Sequence, residues 1–178
     1  RKVHDADVTF RHVSGLAASE DDWIFFKRCY DHTYADHRST PYLNLDFFQR
    51  IGATMPQNIL LIIAEQDGQA IASSLLIHDE QTVFGRYWGA LKHVDCLHFE
   101  TAYYQPLEFC IANKMACFEG GAQGEHKMAR GFLPQKTWSA HWLAHAAFSD
   151  AIEEFLKRET GGIESYMDEL NERNPFKL

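Results

Sequence analysis

The densest cluster of chemically capable side chains in this sequence is the run Glu119-Gly-Gly-Ala-Gln-Gly-Glu-His-Lys127, extended by Arg130-Gly-Phe132. Glycines at 120, 121 and 124 let the main chain take positive φ or come close to a ligand. Successive N–H groups in such a loop can cradle an anion, and Lys127 and Arg130 add positive charge. His126 titrates near neutrality and has Glu119 and Glu125 as carboxylate neighbours, a combination suited to general acid–base catalysis. Residues 120–140 hold Lys127, Arg130 and Lys136 against Glu125 alone, a local +2 within a chain of net charge −8. The loop has neither GxxxxGK[ST] nor GxGxxG, so a kinase or dehydrogenase phosphate site is not expected.

A second cluster is His93, Asp95, Cys96, His98, Glu100, Tyr103 and Tyr104. His98 and Glu100 stand near the start of a helical pattern beside two tyrosines. They either face a substrate cleft, or His98 caps the helix while the tyrosines enter the core. His93, Cys96 and His98 match no common zinc spacing and His141 with His145 is not HExxH, so no metal site is expected. No GxSxG elbow is present. The four cysteines form no CxxC pair, and Cys110 and Cys117 read as packing residues on apolar faces, which fits a reducing cytoplasm.

These residues need elements to position them. Thr9–Val13 alternates as a strand. A helix capped by Ser19 carries Trp23, Phe26, Cys29 and Tyr30 on one face and ends before Pro41. A short helix begins near Asn44. The apolar run 58–65, the Gln66-Asp67-Gly68 turn and the strands 69–78 and 82–90 form an antiparallel meander. From His98 to Met115 the pattern is helical, with Pro106 demanding either a kink or a regular helix that starts near Gln105. A short strand 116–119, a helical turn 125–131, an alternating strand 136–143 and a helix 148–160 follow. That helix is expected to stop at Gly161-Gly162, with a separate helical segment over 163–173.

The chain has 178 residues and is 46% hydrophobic, enough for one domain with its own core and too apolar for intrinsic disorder. Lys plus Arg number 17 against 25 Asp plus Glu, so binding of nucleic acid through a chain-wide basic surface is excluded and only a local basic pocket stays open. Ten histidines make the charge strongly pH-dependent. No apolar run reaches the length of a membrane span.

The order of elements, the run Phe118–Pro134, and Thr137-Trp-Ser-Ala-His-Trp142 together resemble the GNAT acyltransferase fold. More narrowly they resemble the bacterial N-acyltransferases of the Fem-like peptidoglycan biosynthesis and recognition group, and His98-Phe-Glu-Thr-Ala-Tyr-Tyr-Gln105 is similar to that group as well. The resemblance implies an α/β (α+β) fold with a mixed, mostly antiparallel sheet flanked by helices. It implies transfer of an acyl or aminoacyl group to an amine of a cell-wall precursor or small molecule, with acyl-CoA or aminoacyl-tRNA as donor substrate and no tightly bound cofactor. On the matching positions, Glu119, Glu125, His126, His98 and Glu100 are the expected catalytic residues. Gly120, Gly121, Gln123, Gly124, Lys127, Arg130 and Tyr104 are the expected binding residues. The interval 89–97 lacks the Q/RxxGxG/A pattern that binds the CoA pyrophosphate in GNAT enzymes, which leaves aminoacyl-tRNA or another carrier open. Fem-like proteins tend to hold two GNAT-like halves, so residues 1–178 are expected to form one such domain, the C-terminal half of a tandem protein. The competing expectation is a non-catalytic ligand-recognition domain on the same fold.

Overall fold

A computed structural model describes residues 3–121 and 125–174, with the side chains of His4, Glu125 and His126 outside the description. The chain divides into two compact units, Arg1–Gly121 and Ala122–Leu178.

In the first unit, β1 (Val8–Ser14), β2 (Ile59–Gln66), β3 (Gln69–His78), β4 (Thr82–Ala90) and β5 (Cys117–Glu119) form one sheet in that spatial order. The first four strands are antiparallel and β5 runs parallel to β4, giving the mixed, mostly antiparallel sheet expected. Every residue from Ile59 to Ala64 is buried, because both faces of β2 are covered. Asp67 and Gly68 have φ of 53° and 73°, the paired left-handed conformation that matches a tight hairpin to the strand twist.

One face of the sheet carries α1 (Glu20–Asp36) and α2 (Leu45–Thr54). The α1 N-terminus is a capping box: Asp22 N donates to Ser19 Oγ at 3.2 Å and Ser19 N donates to Asp22 Oδ2 at 3.0 Å. Asn44 caps α2 by accepting from Phe47 N at 2.9 Å. Trp23, Phe26, Tyr30 and Phe48 pack on Val13, Leu61, Ile63 and Leu75. Gly89 brings β4 against α1 so closely that a Cβ there would lie 2.0 Å from the Cys29 carbonyl oxygen. Beside it, Thr33 Oγ1 donates to the Trp88 carbonyl at 2.9 Å.

The other face carries α3 (Leu97–Phe99), a π-helical turn (Glu100–Tyr104) and α4 (Gln105–Ala112) in one continuous run. Pro106 thus falls in the first turn of α4, the second of the two placements expected. The π turn explains how. Gln105 N–H donates to the Glu100 carbonyl, five residues back, so the Thr101 carbonyl would need the N–H of residue 106, which proline lacks. Ser74 on β3 fills that vacancy, its Oγ donating to the Thr101 carbonyl at 2.8 Å. Leu60, Ile62, Leu76, Val83 and Cys110 form the core on this side.

In the second unit, a 3₁₀ turn over Glu125–Arg130 is followed by irregular chain and then by α5 (Ala146–Glu172). Two expectations are corrected here. Residues 136–143 form no strand: Trp138 and Trp142 are both exposed, and alternation without a ladder partner does not hold extended chain in a sheet. The C-terminal helix also does not stop at Gly161-Gly162 but runs through it, since glycine keeps its N–H and costs only about 1 kcal/mol per residue in a helix. Among the described residues no helix is long and apolar enough to cross a membrane.

Candidate functional site

The sheet opens along β4. Its pairing with β3 passes from Leu75↔Tyr87 to Leu76↔Gly85, so Arg86 is an extra residue in a β-bulge. Bulges increase local twist and re-aim the side chains that follow. On the other side, β5 pairs β4 only from Thr82↔Cys117 to Phe84↔Glu119, whereas β4 continues to Ala90. From Gly85 onward β5 therefore offers β4 no ladder partner.

A pocket of about 100 Å³ lies along this released edge, lined among others by Gly85, Arg86, Trp88, His98, Tyr103 and Gly120. A second, of about 220 Å³, shares Trp88 and His98 and adds Lys92, His93 and Cys96. The common wall is a stack: the His98 ring lies over Trp88 with centroids 4.4 Å apart and planes at 28°. Phe99 and Tyr103 hold the imidazole from its other sides, at 5.4 and 5.5 Å. Cys96, at φ 67°, turns the chain from the strand connection into α3.

Of the sequence-derived candidates, His98 and Gly120 meet at the first pocket. Gly121, at φ 76°, sits against the Gly85 carbonyl, where a Cβ would be 3.8 Å away. Glu119 is the exposed last residue of β5. Glu100 and Tyr104 line neither pocket. Glu100 is buried and accepts from Gln105 Nε2 at 3.2 Å, while Gln105 Oε1 accepts from His12 Nε2 at 2.8 Å, tying the π turn to β1. Tyr104 is about half-exposed. Gln123 and Gly124 lie outside the described residues, as do the side chains of Glu125 and His126. In the second unit Lys127 and Arg130 are half-buried on the 3₁₀ turn, and burial holds the Lys127 ammonium below the ordinary lysine range.

Burial pushes the Cys29 thiol up to about 12 and raises that of Cys110 also, so neither is poised as a thiolate nucleophile. Cys117, expected to pack, is exposed on β5, as is Cys96 ahead of α3. Among the described residues no group of three His, Cys, Asp or Glu is placed to hold a metal ion. Arg86, Trp88 and Ser74 are site residues that sequence reasoning did not single out. The ten-residue separation of Trp88 and His98 becomes a stack only through the strand-to-helix connection, and the bulge at Arg86 leaves no mark in residue type.

A mostly antiparallel sheet with two helices on one face, a central helix on the other and a fourth strand freed from the fifth is a GNAT-like fold. Solved structures agree. A predicted acetyltransferase of Clostridium acetobutylicum, solved with acetyl-CoA, is similar at TM-score 0.58 and 12% identity over 78% of this chain and 99% of that one. An aminoglycoside acetyltransferase from an uncultured soil metagenomic sample, in complex with sisomicin, is similar at TM-score 0.53 and 8% identity over 80% of this chain and 98% of that one. A ribosomal-protein-alanine N-acetyltransferase of Brucella melitensis biovar Abortus 2308 is similar at TM-score 0.50 and 10% identity, over 78% and 99%. The chain belongs to the FemAB-like family, described as peptidoglycan biosynthesis/recognition, whose model matches residues 1–178. No curated protein matches it.

Proposed function

We propose that this chain is an N-acyltransferase domain that passes an acyl or aminoacyl group from an activated ester to an amine of a cell-wall precursor or another small molecule. The observation that carries the reading is the opening of β4 beyond Phe84, with a pocket at the released edge walled by the Trp88–His98 stack. An extended donor arm laid along Gly85–Trp88 would meet main-chain groups in strand-like fashion, and a main-chain N–H aimed at the reacting carbonyl would stabilise the oxyanion that forms. Lys92 at the second pocket supplies positive charge for the anionic part of the donor, whether acyl-CoA or the 3′ end of aminoacyl-tRNA, with the His93 ring beside it as a hydrogen-bonding group. That position compensates for the missing glycine pattern at 89–97.

His98 is the imidazole at the first pocket, beside the released stretch of β4. Glu119, Glu125 and His126 remain in the proposal as proton acceptors for the amine, and Lys127 and Arg130 as anion-binding groups, through the glycine-loop motif they share. Glu100 is a positioning residue in this reading, since its carboxylate is engaged with Gln105. A cytoplasmic site of action and a second GNAT-like half in the same polypeptide belong to the same proposal.

The test is a thermal-shift and calorimetric titration of the chain with acetyl-CoA and with an aminoacylated RNA minihelix, repeated on Trp88→Ala and His98→Ala. One donor should raise the melting temperature of the parent chain, and Trp88→Ala should weaken that donor by tenfold or more. No binding of either donor, or binding indifferent to both substitutions, would reject the assignment in favour of a recognition domain without transferase chemistry.

A further inference from the structure

A single row of side chains crosses the sheet on the face that carries α3, the π turn and α4. His12 on β1 pairs with Ile62 on β2, Ile62 with Ser74 on β3, and Ser74 with Trp88 on β4. Directly paired residues of antiparallel strands point to the same face, so His12, Ile62, Ser74 and Trp88 stand in line. Three of the four hold the helical run above them. Trp88 stacks on His98, Ser74 Oγ donates to the Thr101 carbonyl at 2.8 Å, and His12 Nε2 donates to Gln105 Oε1 at 2.8 Å. Their partners, at 98, 101 and 105, are spaced by three and four residues, the spacing of one helix face. Three strand gaps span about 14 Å and seven helical residues about 10 Å, a difference that the side chains at the two ends close.

Gln105 is buried at the β1 end of this seat. Its main-chain N–H closes the π turn on the Glu100 carbonyl. Its side-chain amide donates to Glu100 Oε1 at 3.2 Å and to Glu108 Oε2 at 3.1 Å. Both amide hydrogens are thus used, one on each carboxylate, while the amide oxygen takes the His12 N–H. Gln105 therefore grips Glu100 by main chain and side chain at once, and His12 anchors that grip to β1. Phe109, one turn further along α4, backs the His12 ring at a centroid distance of 6.4 Å. A buried amide satisfied in this way fixes one arrangement, because another register of the turn would break these bonds in the interior, where polar groups are costly to leave unpaired.

We infer that Gln105, braced by His12, is a positioning residue of the first pocket: it holds the π turn in the register that lays the His98 ring on Trp88. This rests on the acyl-transfer reading only for its effect on the donor, since the stack belongs to the free chain. Neither Gln105 nor His12 lines a pocket. Their influence reaches the site through Glu100, two residues beyond His98 on the same helical run. Gln105→Met keeps the length of the side chain and removes its three hydrogen bonds, so the turn loses its clamp while Ser74 still holds Thr101.

The test follows the His98 ring protons by NMR in the whole chain, labelled with ring-¹³C histidine and assigned through His98→Gln. Protons held over an indole face are displaced upfield, and loss of the stack returns them toward the values of free histidine. Gln105→Met and His12→Phe should each remove at least half of that displacement. His12→Gln, whose amide N–H replaces the imidazole donor, should restore most of it. Phe48→Leu, in the core on the opposite face of the sheet, is the stability control: it should lower the melting temperature and leave the His98 signals in place. Unmoved His98 signals in both Gln105→Met and His12→Phe, or equal movement in Phe48→Leu, would overturn the inference, and His12→Phe decides the matter alone if Gln105→Met does not fold. Titration with acetyl-CoA and the aminoacylated minihelix separates the two claims. Gln105→Met should weaken whichever donor the parent chain binds by at least about fivefold. A donor bound equally by the parent and Gln105→Met chains overturns the positioning role alone, and His98 signals that move in a chain binding neither donor leave the positioning standing while removing the transferase reading.

Discussion

Gly89→Ala is a single methyl group with a large expected effect. Its Cβ would lie 2.0 Å from the Cys29 carbonyl oxygen, 2.5 Å from the Cys29 carbonyl carbon and 2.7 Å from Thr33 Oγ1. Ordinary contact begins near 3.4 Å, so α1 and β4 must separate locally by about 1.4 Å. No rotamer change relieves this, because the nearest obstacle is main chain. Separation loosens the packing around Cys29, Phe26 and Tyr30, all essentially fully buried, and stretches the Thr33–Trp88 hydrogen bond. Overpacking of a dense core costs roughly 1–3 kcal/mol and a lost hydrogen bond about 1 kcal/mol, giving about 3 kcal/mol in all. For a chain of this size that lowers the melting temperature by about 10 °C. Urea denaturation and calorimetry of the parent and Gly89→Ala chains measure both quantities. A loss under about 0.5 kcal/mol would refute the close approach of α1 to β4, and with it the rigid backing of Trp88.

The opposite sign is expected at Gly161 and Gly162, where an added Cβ meets nothing within 4 Å: changing both to Ala should increase helicity at 222 nm and stabilise α5 by about 1–2 kcal/mol. A loss of helicity would contradict the continuous α5. Stability should also fall on the alkaline side. Tyr87 and Cys29 both have folded pKa values raised to about 12 by burial, so their unfolded forms ionise first and the unfolded state gains as pH climbs from about 9 to 12. The contribution is fully present below that window. Melting temperatures across pH 8–12 should decline less steeply for Tyr87→Phe than for the parent, and parallel curves would show that the phenol is not held neutral.

The sheet was legible in the sequence wherever hydrophobic pattern and turn chemistry agreed. Residues 59–64 are apolar without interruption because β2 is covered on both faces, and Asp67-Gly68 is a pair that tolerates two left-handed residues in succession. The GNAT architecture followed from element order. Residues 136–143 misled because alternation records which side chains are apolar and says nothing of whether a neighbouring strand exists. The two adjacent glycines misled because a helix flanked by ten or more residues on each side absorbs their cost. In the site, His98 and Gly120 were visible by residue type and local composition. Arg86 and Trp88 were not, since their importance comes from a register shift against β3 and from where β5 stops, both long-range facts. The tyrosines at 30, 34, 42 and 87 are spread over nearly 60 residues and come into ring contact only when α1, its following segment and β4 are assembled.

The π turn over Glu100–Tyr104 divides one helix into two segments with separate rotational phase. Each residue of an α-helix advances about 100° around the axis, so the one extra residue carried by a π turn shifts everything beyond it by about that angle. Before the turn, phase is set by His98 against Trp88; after it, by Cys110 in the core. A regular helix across the same residues could satisfy only one of these contacts. The rotational mismatch between pocket and core is therefore written into five residues, and Ser74 on β3, by supplying the hydrogen bond that Pro106 withholds, keeps the two phases locked to the sheet.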